Sequence, residues 1–264
     1  MHTALTIAGS DSGGGAGIQA DLKTFAALGV YGTTAITAIT AQNTERVTDV
    51  LPLPPRIVTA QIEAVASDIR IDAVKIGMLA TADIIEAVAD ALNRWRLPHV
   101  VLDPVMVAKS GDRLLAENAI TTLRERLLPL AGVVTPNRLE AEVLAGRPVA
   151  TLEDAREAAR AIAGATSAAV IVKGGHFAGP QLVNLVFDGT DFVEFVTPRV
   201  DARQTHGTGC TFASAVAAHL AHGRSLLDAV DRATQYVAGA VRHGLAVGRG
   251  CGPVDHFWQA AGRA

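Results

Sequence analysis

The sequence predicts an α/β fold with a mainly parallel central sheet, helices on both faces and an antiparallel hairpin at one edge. Three observations carry this. Short β-branched apolar runs recur at 4–9, 73–77, 99–104, 132–137 and 168–175, each bounded by Gly, Pro or polar residues. Ala-rich segments with helical spacing lie between them, at 17–28, 55–67, 82–95, 114–127, 138–144 and 152–163. Finally, "QLVNLVFDGTDFVEFVTP" places two alternating runs around Asp188-Gly189-Thr190, a hairpin added at a sheet edge.

Taken in order, "ALTIAG" is the first buried strand and "SGGGAG" the turn into the first helix. Its Gly15-x-Gly17-x-x-Ala20 is a weak match to the dinucleotide fingerprint, and the acid expected about 20 residues later is missing. "AVKIG", "HVVLDP", "GVVTPN" and "AAVIVKGG" are the next strands, each followed by a helix or by the hairpin. Two further helices, 208–221 and 226–244, close the chain. Nothing in composition or repeat structure marks a boundary, so residues 1–264 are expected to form one domain.

Composition bounds the function. The chain has 264 residues, 49% hydrophobic and 19% charged, with a net charge of −3 and no basic run interleaved with aromatics, so a nucleic-acid footprint is lacking. Its two cysteines, Cys210 and Cys251, form neither a CxxC nor a Cys/His cluster, which argues against a zinc site or a disulfide framework. No signal peptide or long apolar segment is present, and a soluble cytoplasmic protein is expected.

In open parallel sheets ligands bind past the carboxyl ends of the strands. Those ends carry Gly9-Ser10-Asp11, Lys75 to Met78, Asp103-Pro104, Pro136-Asn137 and Lys173 to His176, a rim of Asp, Lys, Asn and Gly. Asn137 with Glu140 also fits a helix capping box. There is no G-x-x-x-x-G-K-[ST] loop. Still, His206-Gly207-Thr208-Gly209 running into a helix makes an anion cradle: unpaired N–H groups and the helix dipole can face one phosphate.

Seven blocks in order then carry a resemblance: "AGSDSGGGAGIQADLKTF", "TAQNT", "KIGML", "LDPVMVAKSGDRLL", "TPNRLEAE", "VKGGH" and "HGTGCTFASA". Over nearly its whole length the chain resembles the hydroxymethylpyrimidine and phosphomethylpyrimidine kinases of thiamine biosynthesis, within the ribokinase-like superfamily. The resemblance implies a three-layer sandwich and ATP-dependent phosphorylation of 4-amino-5-hydroxymethyl-2-methylpyrimidine, then of its monophosphate. It also points to a homodimer, while the composition and the lack of a long apolar segment lead to no expected nucleic-acid or membrane partner.

By the same resemblance Gln42 bonds the pyrimidine edge, Met78 contacts the ring, and Asp21, Gly9 and Val105 lie at that site. Asn137, Glu140 and Asp103 are associated with Mg²⁺ held partly through water. Thr205, Gly207, Gly209, Asn137 and Lys173 are expected to bind the nucleotide, and Lys173, Gly207, Thr208, Gly209 and Cys210 to serve catalysis. A loop over 105–111, with Lys109 and Gly111, is expected to fold over the ring.

Two features depart from the family pattern: Gly250-Cys251-Gly252-Pro253 where Gly-His-Gly-Pro is usual, and Thr234 where a lysine is usual. Cys210 stands where many sugar kinases of the superfamily have the aspartate base. A helix N-terminus stabilises a thiolate by about 0.3–1 kcal/mol, whereas one phosphate charge at about 5 Å opposes it by about 3 kcal/mol at an effective dielectric of about 20. Cys210 is therefore expected to be mainly a neutral thiol beside ATP. Pyridoxal kinase, a cysteine-nucleophile hydrolase activated by His206 or His176, and a non-catalytic binding module remain the alternatives.

Overall fold

The computed structural model describes residues 1–106, 115, 118–177 and 179–260. Its backbone is one nine-stranded sheet in the order β3-β2-β1-β4-β5-β6-β7-β8-β9. The parallel centre is β1 (His2–Asp11), β2 (Val30–Gln42), β4 (Ala73–Ile76), β5 (Val100–Leu102), β6 (Val133–Val134) and β7 (Ala169–Val172). Strand periodicity sends alternate residues to opposite faces and divides the core in two. Leu5, Ile7, Val74, Ile76, Leu102, Val134, Val170 and Val172 pack on one side with α2 (Pro55–Ala66), α3 (Ala82–Trp95), α5 (Arg138–Ala145) and α6 (Leu152–Gly164). Ala4, Ala73, Val101, Val133 and Ile171 face α1 (Gly17–Ala27), α7 (Thr208–Ala221) and α8 (Leu226–Arg242) on the other.

The expected hairpin is present as β8 (Gln181–Phe187) and β9 (Phe192–Pro198), antiparallel to each other and to β7. Asp188 organises its turn by accepting from the Thr190 and Asp191 amides, both at 2.8 Å. The opposite edge is a correction. β2 and the antiparallel β3 (Val47–Pro52) form a second edge that the apolar-run pattern does not reveal.

The reason lies in the inward positions of β2, three of which are threonines. Thr33, Thr37 and Thr40 are buried because their hydroxyls donate to the carbonyls of Ala4, Met78 and Ser10, at 3.2, 2.6 and 2.9 Å. The helix expected over 114–127 is also corrected. Among the described residues it is a single α-helical turn, α4 (Ala119–Thr122), running through a π-turn (Leu123–Leu127) into a 3₁₀ turn (Leu128–Leu130). Among the described residues no helix is long and apolar enough to cross a membrane.

Candidate active site

Because β1, β4, β5, β6 and β7 run parallel, their carboxyl ends share one rim. Asp103 ends β5 there, 1% exposed, and accepts from Lys173 Nζ and, at 3.2 Å, from Thr135 Oγ1. Glu140 Oε2 lies 3.9 Å from the same ammonium. Asn137 and Glu140 do form the capping box of α5, Asn137 Oδ1 accepting from the Glu140 amide and Glu140 Oε2 from the Asn137 amide, at 3.0 and 2.7 Å. The box therefore turns Glu140 toward the lysine rather than hiding it. Burial pushes the Glu140 carboxyl up to about 7, with Lys173 opposing and Asp103 adding to the rise. Burial works against charge on Lys173 too, but Asp103 and Glu140 outweigh it and raise its pKa.

The first turn of α7 faces this trio. A methyl group built on Gly209 would lie 3.4 Å from Lys173 Nζ and 3.8 Å from Asp103 Oδ2. Glycine leaves the space between this turn and the lysine free of a side chain. Gly207, the N-cap, has φ +81°, and a side chain there would strike the Gly15 carbonyl at 1.8 Å. Residues 207–210 are all partly exposed, so the turn opens onto the cleft. One of its four N–H groups is diverted, since the Thr208 amide donates to the Thr205 carbonyl at 3.4 Å and the Thr208 hydroxyl to the same atom at 2.7 Å. Thr205 lies just outside this turn, its hydroxyl 3.4 Å from Cys251 Sγ.

Cys210 needs no phosphate nearby to stay neutral. Burial pushes its thiol up to about 11, Lys75 pulling the other way and Asp21 adding to the rise. That counts against a cysteine nucleophile, as does His206, whose Nε2 faces Asp11 Oδ2 at 2.9 Å.

Asp21 is a correction. Expected at the substrate, it is instead 0% exposed, and its carboxylate is enclosed by Lys75 Nζ at 2.9 Å, Thr6 Oγ1 at 2.6 Å and Ser214 Oγ at 2.6 Å. It ties α1, β1, β4 and α7 together one helical turn below Cys210, and supports the site rather than lining it.

Gln42 ends β2, partly exposed, with its Nε2 3.4 Å from His206 Nε2 and its Oε1 3.3 Å from Thr40 Oγ1. A small apolar group of Ala38, Met78 and Ala80 forms farther back along β2, with Val50 and Val105 packed against it. Gly9 belongs there too, since a methyl on it would stand 3.2 Å from Met78 Sδ. Val105 therefore joins Met78 and Gly9 as expected, while the rest of the expected closing loop, residues 107–111, lies outside the described residues.

Three residues here were given no role of their own by sequence reasoning, which placed Asp11 and Lys75 only on the strand-end rim. Asp11 accepts from the amides of Gly13, Gly15 and Ala16, at 2.8, 3.1 and 2.8 Å, and so shapes the whole Gly-rich turn. Burial opposes its ionisation, yet these bonds and His206 hold its pKa below the usual carboxylate value. Lys75, 0% exposed, had a signal: a charged residue inside an otherwise apolar strand. Thr135 had none. Thr234, where the family carries lysine, is buried and accepts from Asn184 Nδ2 at 3.1 Å, and Cys251 donates through Sγ to the Arg203 carbonyl at 3.2 Å.

Among the described residues no group of three or more His, Cys, Asp or Glu side chains is arranged to hold a metal ion. Asp103 and Glu140 are nonetheless two carboxylates at the rim of the cleft, a donor set suited to a hydrated, oxygen-seeking cation.

Known proteins match this chain over most of its length. The phosphomethylpyrimidine kinase family model matches residues 11–255. A hydroxymethylpyrimidine/phosphomethylpyrimidine kinase of Rhizobium meliloti is 53% identical over 96% of both chains. The thiamine biosynthesis bifunctional protein ThiED of Geobacter sulfurreducens is 51% identical over 97% of this chain, which spans about half, 52%, of that longer protein. The solved ADP complex of Bacillus subtilis pyridoxal kinase superposes with a TM-score of 0.92 at 40% identity, covering 99% of this chain and 100% of that one. With this site geometry and these matches, the chain belongs to the phosphomethylpyrimidine kinase family.

Proposed function

We propose that the chain is an ATP-dependent kinase that phosphorylates 4-amino-5-hydroxymethyl-2-methylpyrimidine and then its monophosphate, giving the pyrophosphate used in thiamine biosynthesis. The observation that carries this is the approach of Gly209 to Lys173 and Asp103, which sets an anion-binding helix start against a fixed ammonium. Gln42 and the group around Met78 and Gly9 hold the ring, and place its hydroxyl toward the first turn of α7. As the bond from the terminal phosphorus to ADP breaks, a bond to the hydroxymethyl oxygen forms, and the hydroxyl proton leaves to the phosphoryl product and solvent. Lys173 and the amides of Gly207, Gly209 and Cys210 face the charge on the equatorial oxygens. Cys210, as a neutral thiol, orients the hydroxyl more than it deprotonates it. Thr205 and Asn137 flank the nucleotide phosphates.

Asp103 and Glu140, with Asn137 fixing Glu140, would hold the water shell of Mg²⁺, which when bound neutralises phosphate charge. We further propose a single kinase domain, a cytoplasmic homodimer covering a sheet edge such as β9, and no nucleic-acid or membrane partner. Incubating the protein with ATP, Mg²⁺ and the pyrimidine, then weighing the products, tests the reading. Mono- and diphosphorylated masses are expected, and their absence overturns it. Pyridoxal is the second reading, favoured by the likeness to the Bacillus subtilis pyridoxal kinase, and the same assay with pyridoxal decides it.

A further inference from the structure

Asn184 stands in the middle of β8, 5% exposed, beside the buried residues Leu185 and Val186. An amide is costly to bury unless both of its ends are bonded, so its partners show what it is for. The ladder between β7 and β8 ends at the pair Val172–Leu185, because after Lys173 the chain turns off the sheet into a 3₁₀ turn (Gly174–His176). That turn presses the Gly174 backbone against β8, so that a methyl built on Gly174 would lie 2.2 Å from the Val183 carbonyl oxygen. The Gly174 amide is thus buried beyond the end of the ladder, and it donates to Asn184 Oδ1 at 3.1 Å.

A fixed N–H at one end of the side chain decides the other end. Gly174 can only donate, so the Asn184 oxygen faces it and the NH₂ faces α8, where Thr234 Oγ1 accepts at 3.1 Å. A threonine hydroxyl can accept that bond, whereas the ammonium of the lysine usual in the family at this position cannot. Thr234 is therefore a residue type that lets Asn184 keep its oxygen on Gly174.

We propose that Asn184, backed by Thr234, is a positioning residue for Lys173. The proposal rests on the kinase reading above. Lys173 is held on one side by its own amide, which donates to the Pro136 carbonyl at 2.9 Å, and on the other by the Gly174 amide on Asn184. The first bond ties it to the chain just past β6, and the second ties it to β8 and, through Thr234, to α8. With the main chain fixed before and after it, a long flexible side chain starts from one place, and its ammonium meets Asp103. Asn184 touches no reacting atom in this scheme. It acts through Lys173, and a lysine displaced by about 1 Å would face the equatorial oxygens poorly, at a cost of up to about 10²-fold in rate.

The test measures single-turnover phosphoryl transfer to the pyrimidine at saturating ATP and Mg²⁺, a rate constant that does not depend on how much of a preparation is folded, with thermal melting alongside. Asn184→Leu keeps the bulk but leaves the Gly174 amide without its acceptor, and should slow transfer about tenfold. Asn184→Asp still accepts from Gly174 and should keep the rate within about threefold of wild type. In a Lys173→Ala background Asn184→Leu should slow transfer by less than about twofold further, since no ammonium remains to be placed, whereas a purely structural loss would be the same in both backgrounds. Should Asn184→Leu fail to fold, Thr234→Val carries the same comparison, because it removes only the acceptor that steadies the amide. An unchanged rate in Asn184→Leu, an equal loss in Asn184→Asp, or the same fold-loss with and without Lys173 overturns the proposal. A wild type that transfers phosphoryl to neither the pyrimidine nor pyridoxal instead overturns the kinase reading on which it stands.

Discussion

Replacing Lys75 by methionine tests whether the buried pair with Asp21 holds the site together. Both side chains are 0% exposed, and Lys75 Nζ lies 2.9 Å from each carboxylate oxygen of Asp21. Methionine fills nearly the same volume, so the packing loss is small and the charge loss dominates. It leaves a carboxylate in the core with only the Thr6 and Ser214 hydroxyls, and breaking a buried pair in this way costs about 3–5 kcal/mol. That is a large part of the 5–15 kcal/mol typical of a whole domain, and corresponds to about 6–20 °C in Tm for a chain of this size. The double variant Lys75→Met/Asp21→Asn removes both charges, while the asparagine keeps both hydroxyls as partners, its oxygen accepting from one and its NH₂ donating to the other. It should therefore be more stable than the sum of the two single changes by about 1–3 kcal/mol. Urea denaturation followed by circular dichroism, with the slope unchanged, gives each value. A single-variant cost under about 1 kcal/mol, or strict additivity, refutes the reasoning, because either means the pair is not isolated from water. Above about pH 10.5 the wild type should weaken, since Lys75 gains stability from its raised pKa only while it is protonated.

Lys173→Ala should slow single-turnover phosphoryl transfer about 10²–10³-fold and Cys210→Ala about tenfold at most, and the reverse ranking would show that the thiol acts as the base. In keeping with a thiol near 11, log kcat of the wild type should stay flat between about pH 7 and 9 rather than climb with unit slope. Glu140→Gln keeps the capping box but removes the titration. Because the Glu140 pKa is raised, its contribution to stability is complete below about 4.5 and lost as the pH rises through about 7, so wild type should weaken relative to the variant across that window in urea melts, and stay level above it. Gly209→Ala should leave Tm almost unchanged yet lower kcat, since its methyl, 3.4 Å from Lys173 Nζ, enters the space where the proposed reaction would put the phosphoryl group. Unaltered kinetics would place the phosphate elsewhere.

The parallel centre of the sheet was legible because its strands are continuous aliphatic runs, and the edge hairpin because Asp188-Gly189-Thr190 punctuates two alternating ones. β2 was not, because a strand that buries threonines shows no hydrophobic alternation, and the carbonyls that accept from Thr33, Thr37 and Thr40 belong to other segments. The same limit governs the site. Gly207 and Gly209 could be read locally, as a helix start stripped of side chains. Asn137 and Glu140 could be read twice, as a cap and as a rim acid, and the structure shows that one arrangement serves both readings. Asp21 was misplaced because a sequence gives a helix position without saying which buried cation waits opposite, here Lys75 from a strand 54 residues away. The contact between Asp11 and His206 escaped for that reason too, since it exists only where two loops touch.

The rim also sets a condition on catalysis that follows from charge alone. Lys173 is matched by Asp103, and above about pH 7 Glu140 adds a second negative charge, leaving the trio at −1. A phosphate charge about 5 Å away meets about 3 kcal/mol of repulsion at an effective dielectric of about 20, and the half-charge of a helix N-terminus returns only part of it. Once Glu140 is ionised, a phosphoryl donor is therefore disfavoured on the cradle and the lysine unaided. On the proposed kinase reading, one divalent cation carried in with the nucleotide would turn −1 into +1, and the two carboxylates that oppose a bare phosphate would be the groups to hold its water shell. On this account transfer would depend on a metal–nucleotide complex, while Asp103 and Glu140 keep Lys173 charged.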